Sequence, residues 1–344
     1  MRRTANLIVA LCLLYAAAIV GWQALRLLFG DRWWWLIVAN TFSLYLFLPL
    51  AALIPLALGS RRRTAIAAAA APALIFALLY GGLFLPRWPT RRAAETPTLR
   101  VMTLNVLYTN DDGAAVERLI EAEAPDLICF QELTPRIAAD LEARLGDSHP
   151  YRILFPAEGT TGIGIFSRYP LRDGKLLPDP GEEVGWWRQG ALAATVDWQG
   201  QPITLLDIHA APPSSDVFTP GWPRFFEAVT HLRERELAAW MEWAAQQEGP
   251  LIAAGDFNLG DQNAGYRLVA AHLRDAHRQA SWGWGHTWQA YSSRYAGLPL
   301  FKRILRLDYV WYSDHWQPVE VHVAPWDGQS DHLGVVALFS LATR

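Results

Sequence analysis

Cysteine is nearly missing from this chain of 344 residues: Cys12 lies in a long apolar run and Cys129 in a short apolar stretch that reads as a core strand. A disulfide framework is therefore not expected, and so few thiols carry no information about redox compartment. Excess positive charge is missing as well. The formal net charge is -3 at pH 7, which gives no sign of the strongly basic surface used by duplex nucleic-acid binders. No internal repeat is visible, and low complexity is confined to the alanine run at 67–71. Charge of either sign is almost absent from three segments in the first 86 residues, at 4–25, 33–60 and 64–86.

Apolar residues make up 52% of the chain, and the excess is concentrated in those segments. Each is longer than the roughly 20 residues a helix needs to cross the hydrocarbon core. Trp33, Trp34, Trp35, Tyr80 and Trp88 stand near segment ends, where an aromatic belt sits. The pattern predicts three transmembrane helices and an integral protein of the plasma or inner membrane. Pro86, Pro89 and Pro97 punctuate the exit from the third segment. The expected organisation is an anchor at 1–86, a linker at 87–98 and a folded domain at 99–344. Arg61, Arg62 and Arg63 form the densest basic cluster, and Arg2 and Arg3 precede the first segment. Keeping both groups cytoplasmic places the folded domain outside. Arg26, Arg32, Arg87, Arg91 and Arg92 then lie on the outer side, so the clustering rather than the count favours this orientation.

Beyond residue 98 charged and turn residues reach ordinary frequencies. Residues 99–107 and 126–133 read as buried strands, the first carrying Asn105 near its end and the second finishing in Gln131 and Glu132. A carboxylate at the end of a buried strand is costly unless it is paired or bound to metal. Helical spacing follows each, over 116–124 and 135–145. Residues 162–171 form a strand broken at Tyr169-Pro170, and 191–207 a hairpin turning at 198–201, whose second arm runs on to His209. A loop rich in Pro, Ser and Gly at 211–223 leads to a long helix over 224–247. That helix delivers the chain to a short apolar strand, 251–254, which ends in Gly255, Asp256, Phe257 and Asn258. In an extended chain Asp256 and Asn258 point the same way. They form a pair suited to holding a hard cation or orienting a water beside a phosphate. Asp308 lies in a strand over 306–311, and Asp331-His332 precedes the apolar run 333–338. Strands alternating with helices, but including hairpins, favour an α/β sandwich of mixed sheets over a doubly wound parallel sheet.

Eight polar residues thus stand at strand ends or in flanking loops: Asn105, Glu132, His209, Asp256, Asn258, Asp308, Asp331 and His332. Each alone has an ordinary structural explanation; together they describe a site. The blocks Leu104-Asn105-Val106, Cys129-Phe130-Gln131-Glu132, Asp207-Ile208-His209, Gly255-Asp256-Phe257-Asn258, Leu307-Asp308-Tyr309-Val310 and Ser330-Asp331-His332 resemble, in order and spacing, the endonuclease/exonuclease/phosphatase (DNase I-like) superfamily, in a membrane-anchored, bacterial-type form. The resemblance covers about residues 99–341. It implies a four-layer sandwich of two mixed β-sheets flanked by helices and a phosphodiesterase, nuclease or phosphatase activity. It further implies that Glu132, assisted by Asn105 and Asp331, binds Mg²⁺ or Mn²⁺, and that Asp256 and Asn258 orient the attacking water and the phosphate. His332, paired with Asp308, would stabilise the pentacovalent phosphate. His209 matches a second histidine that the DNase I, sphingomyelinase and inositol-phosphatase branches carry and exonuclease III-type enzymes lack. Its acidic partner is open between Asp207, Glu182 and Glu183.

The implied function is a metal-dependent hydrolase of phosphate esters tethered to a membrane; a catalytically degenerate binding module of the same fold is the alternative. Proximity to a bilayer suggests phospholipid head groups or extracytoplasmic nucleic acid as substrate, and no protein partner is indicated. Trp186, Trp187, Trp222, Trp282, Trp284 and Trp288 fall in loops or at element edges, where they could rest on lipid, stack on bases or simply pack.

Overall fold

The computed structural model describes residues 2–85, 97–178, 190–212, 221–289 and 303–342. Trp88, Glu182, Glu183, Trp186, Trp187 and nearly all of the expected linker lie outside them.

The chain opens with α1 (Arg2–Phe29), α2 (Trp34–Thr41), a 3₁₀ turn at Ser43–Phe47, α3 (Leu50–Ser60) and α4 (Arg63–Tyr80), which runs into a second 3₁₀ turn at Gly81–Phe84. Among the described residues three stretches are long and apolar enough to cross a membrane: Arg2–Phe29, Ser43–Ser60 and Arg63–Phe84. The expected single helix over 33–60 is therefore wrong in its first third. Polar contacts and a proline interrupt it. Asn40 donates to the Gly30 carbonyl and to Asp31 Oδ1, and accepts from Trp22 Nε1. The Thr41 hydroxyl turns back onto the Ile37 carbonyl, and Pro49 has no N–H with which to continue a helix. The loop between α3 and α4 returns to the start of α1, where Arg62 donates to Asn6. The other end of the bundle packs on the rest of the protein.

From Thr98 the order is β1 (Thr98–Asn105), α5 (Gly113–Glu123), β2 (Leu127–Gln131), α6 (Pro135–Leu145), β3 (Tyr151–Phe155), β4 (Ile163–Ser167), β5 (Leu171–Leu176), β6 (Gly190–Trp198), β7 (Gln201–His209), α7 (Trp222–Ala245), β8 (Leu251–Asp256), α8 (Ala264–Ala270), β9 (Arg274–Asp275), α9 (Ala276–Ala280), β10 (Asp308–Tyr312), β11 (Trp316–Val323) and β12 (Val335–Leu341). One six-stranded sheet runs β11-β12-β1-β2-β4-β3 and the other β5-β6-β7-β8-β10-β9. Each has one parallel pair near its middle, β1/β2 and β7/β8, and is otherwise antiparallel. The sheets are thus mixed, as the combination of hairpins and helical crossovers requires.

Side-chain alternation builds the four layers. Leu99 and Val101 of β1, Leu127 and Cys129 of β2, Leu205 of β7, Ile252 and Ala254 of β8 and Val310 of β10 meet between the sheets. Their neighbours of opposite parity face outward. Met102, Leu104, Ile128 and Phe130 pack under α5 and α6; Leu206, Ile208, Leu251 and Ala253 pack with Trp240 and Met241 of α7 and Tyr266 of α8. Because successive residues of a strand alternate faces, parity also dictates where the polar strand ends point. Asn105, Gln131, Asp207, His209, Asp256 and Asp308 continue the inter-sheet rows, at the end where the apolar filling stops.

Candidate active site

Strand register brings the polar residues together. His209 of β7 pairs with Asp256 of β8, and Asp256 pairs with Asp308 of β10. In the facing sheet Asn105 lies beside Gln131. Gln131 Nε2 donates to Asp207 Oδ1 at 2.6 Å and so ties the two sheets together beneath the site. The close approach of β8 to β7 explains Gly255, whose φ is +151° and whose Cβ, if present, would lie 1.9 Å from the Ile208 carbonyl oxygen.

Asp256 is the centre. Its Oδ2 accepts from Asn105 Nδ2 at 3.1 Å and stands 3.8 Å from His209 Nε2 and 3.7 Å from His332 Nε2. Those two gaps exceed direct hydrogen bonds and suit a bridging water or substrate oxygen. Asn258 is placed differently from the strand-based expectation. The strand ends at Asp256, and Asn258 has φ +52°, so the two side chains are not same-face neighbours of one strand. The turn joins them instead: Asn258 N donates to Asp256 Oδ1 at 2.9 Å, and Asn258 Nδ2 to the Ala210 carbonyl at 3.0 Å.

Glu132 lies just past β2, also at positive φ, +58°. A non-glycine residue held there is strained, and such strain clusters at functional sites. Its Oε1 accepts from Asn105 Nδ2 at 3.1 Å and its Oε2 from Tyr108 N at 2.9 Å. Asp331 is partly buried and accepts from Trp288 Nε1 at 3.3 Å.

The two histidines are driven apart in proton affinity. Burial pushes His209 down to about 4, with Asp256 opposing the shift, so its ring is neutral at pH 7. His332 is equally buried, but Asp308 and Asp256 override that cost and hold it well above the ordinary value. His332 Nδ1 lies 2.8 Å from Asp308 Oδ2. The site therefore pairs a neutral imidazole with an imidazolium across one buried carboxylate, a division suited to acid–base work. Asp207 faces Gln131, and among the described residues it is the Asp256 carboxylate that comes within 4 Å of the His209 ring. Neither His209 ring nitrogen has a partner at hydrogen-bonding geometry, although the Thr160 backbone lies near enough to favour protonation.

All eight expected residues thus converge. Sequence reasoning missed their supports. Ser330 Oγ donates to the Asn105 carbonyl at 2.6 Å and accepts from His332 N at 3.0 Å. Thr287 Oγ1 is fully buried and accepts from both Leu307 N and Asp308 N. Ser330 directly precedes Asp331 and His332 in the sequence, whereas nothing in the sequence marks Thr287. Replacing Thr287 with valine keeps the shape but orphans two buried N–H groups. It is expected to cost about 1–3 kcal/mol, read as a lower denaturation midpoint at unchanged m-value. An unchanged midpoint would rule out this role.

The residues fit a hard divalent cation. Glu132 and Asp331 offer carboxylate oxygens, as Mg²⁺ or Mn²⁺ requires, whereas Asn105 turns Nδ2 toward Glu132 and its Oδ1 accepts from Leu107 N. Burial raises Glu132 to about 7, Tyr108 N and Asn105 offset part of the shift, and Asp331 adds repulsion. Among the described residues Glu132 has no cationic hydrogen-bond partner. A bound cation would relieve that cost. Asp256, Asp308 and His332 form a second group whose ligand atoms lie within 4.8 Å of one another. Holding a metal there would require His332 to surrender the proton that both carboxylates stabilise.

Of the six Trp residues singled out in loops, Trp288 alone among the described ones bonds to a site residue. Trp222 stacks on Phe226 and meets Trp34 edge-on, while Trp284 packs on Phe76, Tyr80 and Phe84.

The model of the Endonuclease/Exonuclease/phosphatase family matches residues 102–332. No curated protein matches the chain. Among solved structures, an endonuclease/exonuclease/phosphatase from Beutenbergia cavernae is 24% identical over 71% of this chain and 72% of its own, with a TM-score of 0.56. One from Bacteroides vulgatus is 18% identical over 72% of this chain and 100% of its own, also at 0.56. TDP2 of D. rerio, solved with a single-strand DNA product, is 19% identical over 71% of this chain and 99% of its own, at 0.54. At these identities the likeness establishes the fold.

Proposed function

Because the chain belongs to the Endonuclease/Exonuclease/phosphatase family, we propose that it is a Mg²⁺- or Mn²⁺-dependent hydrolase of phosphate esters, with its catalytic domain at 99–344 held to a membrane by residues 1–86. The observation that carries this reading is the Asp256 carboxylate set between His209 and His332, with His332 clamped by Asp308.

Each residue has a part. Glu132, Asn105 and Asp331 would hold the metal, which would supply charge neutralisation and polarisation at the phosphate. Asp256, fixed by Asn105 and by Asn258 N, accepts a proton from the attacking water. The Asn258 amide group, oriented by the Ala210 carbonyl, lines the phosphate position. His332, kept protonated, stabilises charge on the phosphate in the transition state and can protonate the leaving oxygen. His209, neutral, offers a hydrogen bond without adding a second cation. Phosphoryl transfer depends on such positioning and charge stabilisation more than on a covalent nucleophile.

The test is hydrolysis of bis-p-nitrophenyl phosphate by the full chain with Mg²⁺ or Mn²⁺. Turnover is expected to vanish on EDTA treatment and to return when metal is restored. Absence of metal-dependent turnover on any phosphate ester would favour the degenerate binding module.

The orientation proposed is with the catalytic domain extracytoplasmic. The loop at 60–63 and the start of α1 share the end of the bundle remote from the catalytic domain, and that end carries Arg2, Arg3, Arg61, Arg62 and Arg63.

A further inference from the structure

The catalytic domain does not hang from its helices. It is latched to them beside the active site. Asp31, between α1 and α2, accepts from Asn263 Nδ2 at 3.0 Å and from Ala264 N at 2.8 Å, so that it sits at the first turn of α8. Its other oxygen accepts from Asn40 at 2.7 Å. Asn263 Oδ1 accepts from Gly260 N and from the Thr41 hydroxyl. Arg26 Nε donates to the Gln262 carbonyl at 3.0 Å. Arg26, Asp31, Asn40, Gln262 and Asn263 are all buried. On the other flank Gly283 N donates to the Leu83 carbonyl, Tyr45 OH to the Ile304 carbonyl and Arg278 to the Leu79 carbonyl. The cavity left in this seam is only about 20 Å³, room for about one water.

Each of these contact segments runs directly into the catalytic centre. Gly260 lies two residues beyond Asn258. Trp284, packed on Phe76, Tyr80 and Phe84, lies four residues before Trp288, which bonds Asp331 and bridges to His332. Ile304 lies four residues before Asp308. Four extended residues reach at most about 14 Å. The polar head-group layer is about 5–7 Å deep on each side of a bilayer. The catalytic residues therefore stand close above the surface marked by the ends of the three candidate spans, Phe29, Ser43 and Phe84. Trp282 supports this placement. It belongs to the catalytic domain, is 70% exposed, and meets Phe84 edge-on at 5.4 Å, which is where an interfacial indole belongs.

We infer that the catalytic site faces the bilayer surface and takes a membrane-resident phosphoester, a lipid whose head-group phosphate is presented in the plane of the membrane. This rests on the hydrolase reading above and narrows it. Confinement of enzyme and substrate to one surface raises their effective concentration, so the preference over a soluble counterpart is expected to be on the order of 10²-fold.

The experiment uses the full chain in phosphatidylcholine vesicles carrying phosphatidylglycerol or phosphatidylethanolamine. Its kcat/KM on each lipid is compared with that on the same glycerophosphodiester without acyl chains, on bis-p-nitrophenyl phosphate and on plasmid DNA. A lipid preference of the expected size supports the inference. Equal or faster turnover of the soluble esters or of DNA overturns it and leaves the hydrolase reading standing. No metal-dependent turnover of any of them overturns both. A nitroxide at Trp282→Cys gives a readout independent of activity, since Cys12 and Cys129 are buried. It should relax with lipid-soluble oxygen, whereas a label at the exposed Asp147→Cys should relax with a water-soluble reagent. Matching accessibility at the two positions would also overturn the placement.

Discussion

Replacing His332 with alanine is expected to lower turnover on a phosphodiester by on the order of 10² to 10³, the usual cost of removing one donor aimed at developing charge. Metal affinity should change little, because His332 is held by Asp308 and Asp256 rather than by the proposed metal centre. The imidazole is proton-rich because two carboxylates outweigh its burial, and the pH behaviour follows from that. A raised folded pKa stabilises the native state fully below the unfolded histidine value, and the stabilisation is lost as pH climbs through the folded one. Activity that needs the imidazolium should fall over the same alkaline range. Asp308→Asn removes one of the charges and should move that alkaline limb toward neutrality, leaving the acid limb in place. Steady-state kinetics across pH, with metal titrations on each variant, separate these effects. A loss in turnover below about threefold, or a parallel fall in metal affinity, would mean that His332 does something else.

Much of the site was legible because its residues obey strand parity. Val310 is core, so Asp308 must look between the sheets; Ile252 and Ala254 fix Asp256 in the same way, and Leu205 fixes His209. Short apolar runs ending in a polar residue therefore carried both the fold and the grouping of these side chains. The four layers followed from the same runs and their intervening helices. The failures have physical causes too. Asn258 was placed by a rule for extended chains, but its own backbone has turned to positive φ. β3 and β11 went unseen because their residues are mostly only half-buried or exposed, which leaves no clean alternation to read. The break in the second apolar segment depends on tertiary partners of Asn40 at Trp22, Gly30 and Asp31, and Asp31 and Thr41 in turn meet Asn263 more than two hundred residues away. The same distance hides the latch: nothing in the first segments says that their polar residues serve the loop after Asp256. Thr287 belongs with these, since its value lies wholly in two backbone N–H groups from another strand.

Converting Glu132 to glutamine is expected to weaken Mn²⁺ binding by at least on the order of 10², since even the partners behind a metal ligand are worth 10- to 100-fold and an amide cannot match a carboxylate on a hard cation. The pH dependence should change with it. Burial lifts Glu132 to about 7, so in the metal-free protein its protonated form is the comfortable one. The sign follows directly: its contribution to stability is complete below the unfolded value near 4.5 and disappears as pH rises through about 7. Metal binding needs the opposite state, because a ligand must be deprotonated. Affinity in the unaltered protein should therefore climb by about tenfold per pH unit up to neutrality and then level off. In Glu132→Gln both dependences should be lost: affinity low and flat over that range, metal-free stability no longer falling through neutral pH. Calorimetric titration with Mn²⁺ at several pH values, beside chemical denaturation of the metal-free protein, measures both. Affinity unchanged by the substitution would move the metal to Asp256, Asp308 and His332. His332 would then have to be neutral when metal is bound, and the alkaline limb predicted for its loss of function would be absent as well.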